Sequence, residues 1–257
     1  MDLFPLPRLG VVVPPENPTA EPEFHHLLGA GMNVYTARFP VLPGVGLREM
    51  LETYNEVLPQ TLGGFGGMRL EAAVVACSAS HYLLGPAADL EFCERLSARF
   101  GFPVRSSTQA ILAACRAREV ERLTLVSPYQ PWLTETSRAF WQDAGLAVEE
   151  VVLVPAGRTP DGAEHYDPYL VDARGLGERL APRLLDRRRG GGALLFTGTG
   201  MGTLATMEAL AREEPALTLL SSNVACAWWA LEAAGAQGRA VHPLLLRLAA
   251  AAAPQAA

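Results

Sequence analysis

Short apolar runs, each closed by proline, glycine or hydroxyl residues, alternate with stretches of helical period along the whole chain. Arg8-Leu-Gly-Val-Val-Val-Pro14-Pro15 is a β-branched run stopped by two prolines, which predicts a strand ending in a loop. A helix is expected from about Glu21 to Leu28, and Met32 to Phe39 alternates like a strand. Over residues 46–63, Leu47, Met50, Leu51, Tyr54 and Leu58 fall on one helical side. A glycine-rich segment, Gly63-Gly-Phe-Gly-Gly, leads into Glu71-Ala-Ala-Val-Val-Ala-Cys77-Ser-Ala-Ser, a buried-type strand that halts at a cysteine and hydroxyl residues. A helix follows, with Pro86 near its first turn and Gly101 at its end. Pro103-Val104-Arg105 is a short strand, and Ser106-Ser107-Thr108 supplies the N-cap of a helix to about Arg118.

The pattern then begins again. Arg122-Leu-Thr-Leu-Val-Ser-Pro128-Tyr129 parallels the run at Arg8, and Ala193-Leu-Leu-Phe-Thr197-Gly198-Thr199-Gly200 parallels the run into Cys77. Leu217-Thr-Leu-Leu-Ser221-Ser222-Asn223 parallels the run into Ser106. From 8 to 122, 77 to 198 and 106 to 221 the offsets are 114, 121 and 115 residues. Three matches in one order predict a duplicated unit. Strands alternating with helices predict an α/β fold of two pseudo-symmetric lobes, each with a mainly parallel sheet flanked by helices, and a site in the cleft between them. The expected division is 1–118 for the first lobe, with 224–257 packing back on it, and 119–223 for the second.

Composition narrows the function. The net charge is -6, with both signs interspersed, and no basic stripe or finger spacing stands out, so nucleic acid is not an expected partner. The N-terminus lacks the charged segment and apolar core of a signal peptide, and no apolar run approaches the ~20 residues of a membrane span. The four cysteines, Cys77, Cys93, Cys115 and Cys226, form no CxxC pair and no metal-ligand spacing. A reduced, cytoplasmic protein is expected, with no metal; homo-oligomer formation stays open.

In an open parallel sheet, ligands bind beyond the carboxyl ends of the strands. The loops placed there offer the thiol of Cys77, many hydroxyls, the Tyr129 phenol, the Asn17 and Asn223 amides and several helix N-termini, a set suited to a small carboxylate or dicarboxylate. Each has a plainer reading. Cys77 is equally a small residue that fits a strand end, Tyr129 a loop anchor, Asn17 a turn former and His81 a helix-entry residue. Gly198-Thr-Gly-Met-Gly202 lacks the spacing of a dinucleotide fingerprint.

The segments Val13-Pro-Pro-Glu-Asn17-Pro-Thr, Val74-Val-Ala-Cys77-Ser, Ser106-Ser-Thr-Gln-Ala, Leu125-Val-Ser-Pro-Tyr129 and Ser221-Ser-Asn223, in this order, resemble the aspartate/glutamate racemase superfamily, within it the maleate isomerase and arylmalonate decarboxylase branch. The resemblance covers roughly residues 8–236 and implies an enzyme without cofactor or metal, closing two lobes over a small carboxylic acid. It implies a nucleophile or acid/base role for Cys77, carboxylate contacts for Asn17 and Tyr129, and a place for Ser78 with Tyr129 in a pocket that stabilises an enediolate. Thr199 falls beside the position of a second-lobe thiol, and Thr197, Gly198 and Gly200 belong to the same loop.

The chain departs from the resemblance at that second thiol, where it has Gly198. A racemase needs an acid on each face of a plane, so racemisation ranks behind one-thiol chemistry. The expected function is decarboxylation of a substituted malonate-like acid, with Cys77 protonating the enediolate and Gly198 leaving room opposite for a bulky substituent. The alternative is a maleate-type cis–trans isomerase with Cys77 as nucleophile, followed by a non-catalytic carboxylate binder.

Overall fold

A computed structural model describes residues 5–184 and 192–249. The first half lays down four parallel strands, β1 (Arg8–Val13), β2 (Asn33–Arg38), β3 (Ala72–Val75) and β4 (Val104–Ser106), in the order β2-β1-β3-β4. The second half repeats the order. Strands β5 (Arg122–Ser127), β6 (Ala147–Leu153), β9 (Ala193–Phe196) and β10 (Thr218–Ser221) pair in parallel as β6-β5-β9-β10. A small antiparallel hairpin, β7 (Gly157–Arg158) and β8 (Glu164–His165), is inserted between them. Strands β3 and β9 are buried along their whole length, which is why they read as unbroken apolar runs rather than alternating ones. Edge strand β2 is only half-buried and carries Asn33, Tyr35, Thr36 and Arg38.

The helices of the first half are α1 (Ala20–Leu28), α2 (Leu47–Gly63), α3 (Ser78–Tyr82), α4 (Pro86–Phe100) and α5 (Ser107–Ala117). Those of the second are α6 (Pro131–Asp143), α7 (Ala173–Leu184), α8 (Leu204–Glu213), α9 (Ser222–Ala233) and α10 (Pro243–Ala249). Two features differ from the sequence reading. The helix expected with Pro86 near its first turn and Gly101 at its end forms as α4, but a separate short helix, α3, precedes it, ending at Tyr82 before Gly85 takes φ +76°. Pro103 lies outside β4, as expected of a residue without an N–H to give the ladder.

The duplication extends to the caps. The Ser106 hydroxyl accepts the Gln109 N–H (3.1 Å) to start α5, and the Ser221 hydroxyl accepts the Val224 N–H (3.2 Å) to start α9. Helix α9 packs on α5, α1 and α10. The halves also meet through aromatic rings: Tyr82 of α3 stands edge-on to Phe140 and Trp141 of α6, at 5.5 and 5.7 Å. A third junction is the buried carboxylate of Glu23 in α1. It accepts the N–H groups of Thr203 (2.9 Å) and Leu204 (3.4 Å) at the start of α8, and the Asn223 amide (2.7 Å) from α9. Burial pushes this carboxyl upward from its ordinary pKa, and the three donors offset part of that shift.

Candidate active site

The strand ends of both sheets converge on a hollow of about 90 Å³. Its wall contains Cys77, Ser78 and Ala79 beyond β3, Pro14 beyond β1, Tyr129 beyond β5, and Thr199 and Gly200 beyond β9. Helix α2 adds Leu47, Met50, Leu51 and Tyr54, helix α6 adds Leu133, and the segment after β8 adds Pro168 and Tyr169. Among the described residues, no lysine, arginine, aspartate or glutamate lines it.

Cys77 caps α3 at φ −146°, an extended backbone that turns the chain from strand to helix beside the hollow. Its thiol is 4% exposed, and burial pushes its pKa above the ordinary value, with hydrogen bonding to Ser80 opposing the shift. Without a cationic neighbour to favour thiolate, this sulfur holds its proton at neutral pH. Burial likewise raises the Tyr129 phenol well above its ordinary pKa and Tyr54 to about 12, so both keep O–H donors. The Tyr54 ring is stacked on Phe39 at 4.4 Å, which fixes its place in the wall.

Ser78 sits in a ring of hydroxyls. Its Oγ lies 2.8 Å from Ser107 Oγ and 3.0 Å from Ser222 Oγ, the first residues of α5 and α9. When both neighbours donate, the two lone pairs of Ser78 are filled and its own proton is left for the nearby Tyr82 hydroxyl or for a ligand. Thr199 is spent differently. Its hydroxyl donates to the Ala76 carbonyl (2.7 Å) and accepts from the Asn17 side-chain amide (3.1 Å), so its proton serves the backbone just before Cys77.

Asn17, Thr197 and Gly198 stand behind the wall rather than on it. Asn17 Oδ1 accepts the N–H groups of Thr19 (2.9 Å) and Ala20 (3.0 Å), while its amide holds Thr199. Thr197 Oγ1 donates to the Val126 carbonyl (3.1 Å). Gly198 does not leave the empty space expected opposite Cys77. It adopts φ +88°, and a Cβ built there would lie 2.8 Å from the Tyr129 hydroxyl oxygen. The Tyr129 phenol fills that place. Gly200 is needed for closeness of another kind, since a Cβ there would run into the Tyr169 ring.

The apolar wall of α2 shows in the sequence only as a helical stripe, with nothing to say that it faces a hollow. Tyr169 and Pro168 carried no periodic signal at all. Their placement rests on a local turn, in which Asp167 Oδ1 accepts the Tyr169 N–H (2.8 Å), following the β7–β8 hairpin. Arg105 stacks over the Trp229 ring at 5.4 Å and stays out of the hollow, and Arg38, which donates to the carbonyls of Pro14, Pro15 and Asn17, is likewise not on its wall.

The fold is shared with proteins of known structure. The maleate isomerase Iso from Pseudomonas putida S16 superposes with a TM-score of 0.73 at 20% identity, over 89% of this chain and 92% of that one. A cysteine-to-serine variant of Nocardia farcinica maleate cis-trans isomerase, with a covalently bound succinylcysteine intermediate, gives 0.70 at 23% identity over 89% and 92%. A double variant of arylmalonate decarboxylase in liganded form, one glycine exchanged for cysteine and one cysteine for serine, gives 0.69 at 19% identity over 89% and 93%. No curated protein matches the chain in sequence. The family model for arylmalonate decarboxylase matches residues 9–243, and the chain therefore belongs to the arylmalonate decarboxylase family, on the aspartate/glutamate racemase branch that its motifs anticipated.

Proposed function

We propose that the protein is a cofactor-independent decarboxylase of a small malonate-like acid carrying a short apolar substituent, with Cys77 as proton donor. The observation that carries this reading is a thiol held protonated by burial, facing a hollow whose wall has no cationic side chain. An acid is what the second half of a decarboxylation requires. The bond from Cα to one carboxylate breaks, CO2 leaves, and the electron pair stays on Cα as an enediolate. Ser78 and Tyr129 donate hydrogen bonds to the enediolate oxygens, the Cys77 S–H gives its proton to Cα, and solvent returns a proton to the sulfur. The apolar side chains of Leu47, Met50, Leu51 and Leu133 disfavour the charged carboxylate beside them relative to the neutral CO2 it becomes.

Size narrows the substrate. A volume of about 90 Å³ is far below the ~300–1,000 Å³ of drug-sized sites. With Tyr129 in the place opposite Cys77, the substituent is short, not the bulky one first expected. Protonation from the first-lobe face gives the product handedness opposite to that from a second-lobe thiol. The same reading divides the chain into 1–118 with 224–257 packed back on it, and 119–223. The packing of α9 on α5 supports this; residues 1–4, 185–191 and 250–257 of that division lie outside the described residues.

The test is a panel of 2-alkylmalonates followed by CO2 release and by proton NMR in heavy water. Conversion of the short-chain members, lost in Cys77→Ala, is expected. Turnover undiminished in Cys77→Ala would overturn the role of the thiol. The second reading, a maleate-type cis–trans isomerase, is favoured by the hollow's small volume. It is separated by incubation with maleate, where it alone gives the fumarate signal.

A further inference from the structure

Apart from the residues lining the hollow, three side chains from three elements converge. His26 lies in the last turn of α1, Glu208 in α8, and His242 immediately before α10. Glu208 Oε1 is 3.1 Å from His242 Nε2 and 3.6 Å from His26 Nε2. The two rings stand edge-on with centroids 5.1 Å apart, and one ligand atom from each residue falls within 4.8 Å of the others. Two imidazoles and one carboxylate are the donor set of zinc-type sites, with metal–ligand distances near 2.0–2.2 Å. Tetrahedral coordination at such distances sets nitrogen and oxygen ligand atoms about 3.3–3.5 Å apart, which the two carboxylate–imidazole separations bracket. The closed and open sides are also distinct. The His242 side chain is 7% exposed and the His26 side chain 62%, so a bound ion has a buried ligand beneath it and a solvent-facing position above.

We propose that His26, Glu208 and His242 bind a late first-row divalent cation of the zinc class and thereby staple the two lobes. Helix α1 flanks the first sheet, α8 follows the second, and α10 closes the chain's described part, so one ion joins all three. His26 sits at the carboxyl end of α1, where the helix dipole favours positive charge. In the ion-free arrangement, His242 Nδ1 accepts the Leu244 N–H at 3.3 Å, leaving the ring proton on Nε2 toward Glu208. The cation takes the place of that proton. The proton leaves to solvent, Nδ1 takes one up, and the long bond to Leu244 is given up.

The experiment uses the full chain stripped with chelator, titrated with zinc sulfate by calorimetry and followed by thermal melting, with magnesium as control. One zinc ion per chain is expected, and at a hundredfold excess over the dissociation constant the melting temperature rises by roughly 5–10 °C. Magnesium has no effect. Glu208→Gln and the exposed His26→Ala each weaken zinc at least tenfold. His25→Ala, on the neighbouring position of α1, and Cys77→Ser both leave zinc binding intact. Absence of saturable zinc binding, or binding that survives His26→Ala and Glu208→Gln unchanged, overturns the proposal. Loss of binding in Cys77→Ser alone does so too, because the ion then sits at the thiol.

Discussion

The ends of β3 and β9 occupy the same place in the two repeats. Val12 of β1 pairs with Val75, and its counterpart Val126 of β5 pairs with Phe196. Counting two residues onward from each reaches Cys77 and Gly198. At the first, an extended backbone presents a sulfur to the hollow. At the second, the backbone is left-handed and the space is taken by a phenol from β5's own loop. The surrounding framework is hardly changed: the strand order, the capping serines 106 and 221, and the hydroxyls of Ser107 and Ser222 on Ser78 all repeat. A duplicated scaffold thus presents a thiol from one half only, through a single backbone conformation and one aromatic side chain, without remodelling of either sheet.

The sharpest way to break this asymmetry is to remove the sulfur. Cys77→Ala is expected to lower kcat on a responsive malonate by roughly 10²–10⁴-fold with an unchanged melting curve, measured by CO2 release. The pH profile comes next. Burial raises the Cys77 pKa above its ordinary value, and in the proposed decarboxylation the protonated form is the working one. Turnover should therefore hold from neutral pH through the usual thiol range and fall only beyond it, about tenfold per pH unit. A nucleophilic thiolate would give the reverse, a rate that climbs with pH, so one set of rate measurements separates the two chemistries.

Restoring symmetry from the other side should fail structurally. Gly198→Ala puts a Cβ on a left-handed backbone against Tyr129, at a cost of about 1–3 kcal/mol, read from the denaturant midpoint. Gly198→Cys should be no better and should exchange no α-proton of the product in heavy water. Adding Tyr129→Phe removes the nearest oxygen and should recover part of the loss. The smallest effects test the equivalence itself. Ser107→Ala and Ser222→Ala each delete one bond to Ser78 and should each cost about 1 kcal/mol. Equal values are expected from equivalent positions, and a difference above about 1 kcal/mol would show that the hydroxyl ring is not shared evenly.

Much of this scaffold is legible in the sequence because its signals are local. The runs at Arg8, Arg122 and Ala193 are apolar because their strands are buried on both faces, and Ser106 and Ser221 announce the helices they cap. Cys77 stands out because a strand stops there. The parts that escape are those set by contacts distant along the chain. Gly198 reads as open space until Tyr129 is seen filling it. Asn17 and Thr199 read as ligand contacts, yet their polar atoms are committed to each other and to backbone groups. Tyr169 comes from a segment with no period to follow. The short α3 escapes as well, because Ser78-Ala-Ser-His-Tyr82 is too brief to show a helical period.

The left-handed residue beyond β9 also bears on how this active site can change over generations. A codon change that brings back a side chain there meets strain and a collision together, so it lowers stability before it can offer any new reactivity. Relief requires a second change at Tyr129, which the proposed chemistry uses as a donor. The route from one thiol-bearing face to two therefore crosses intermediates that are less stable than either end.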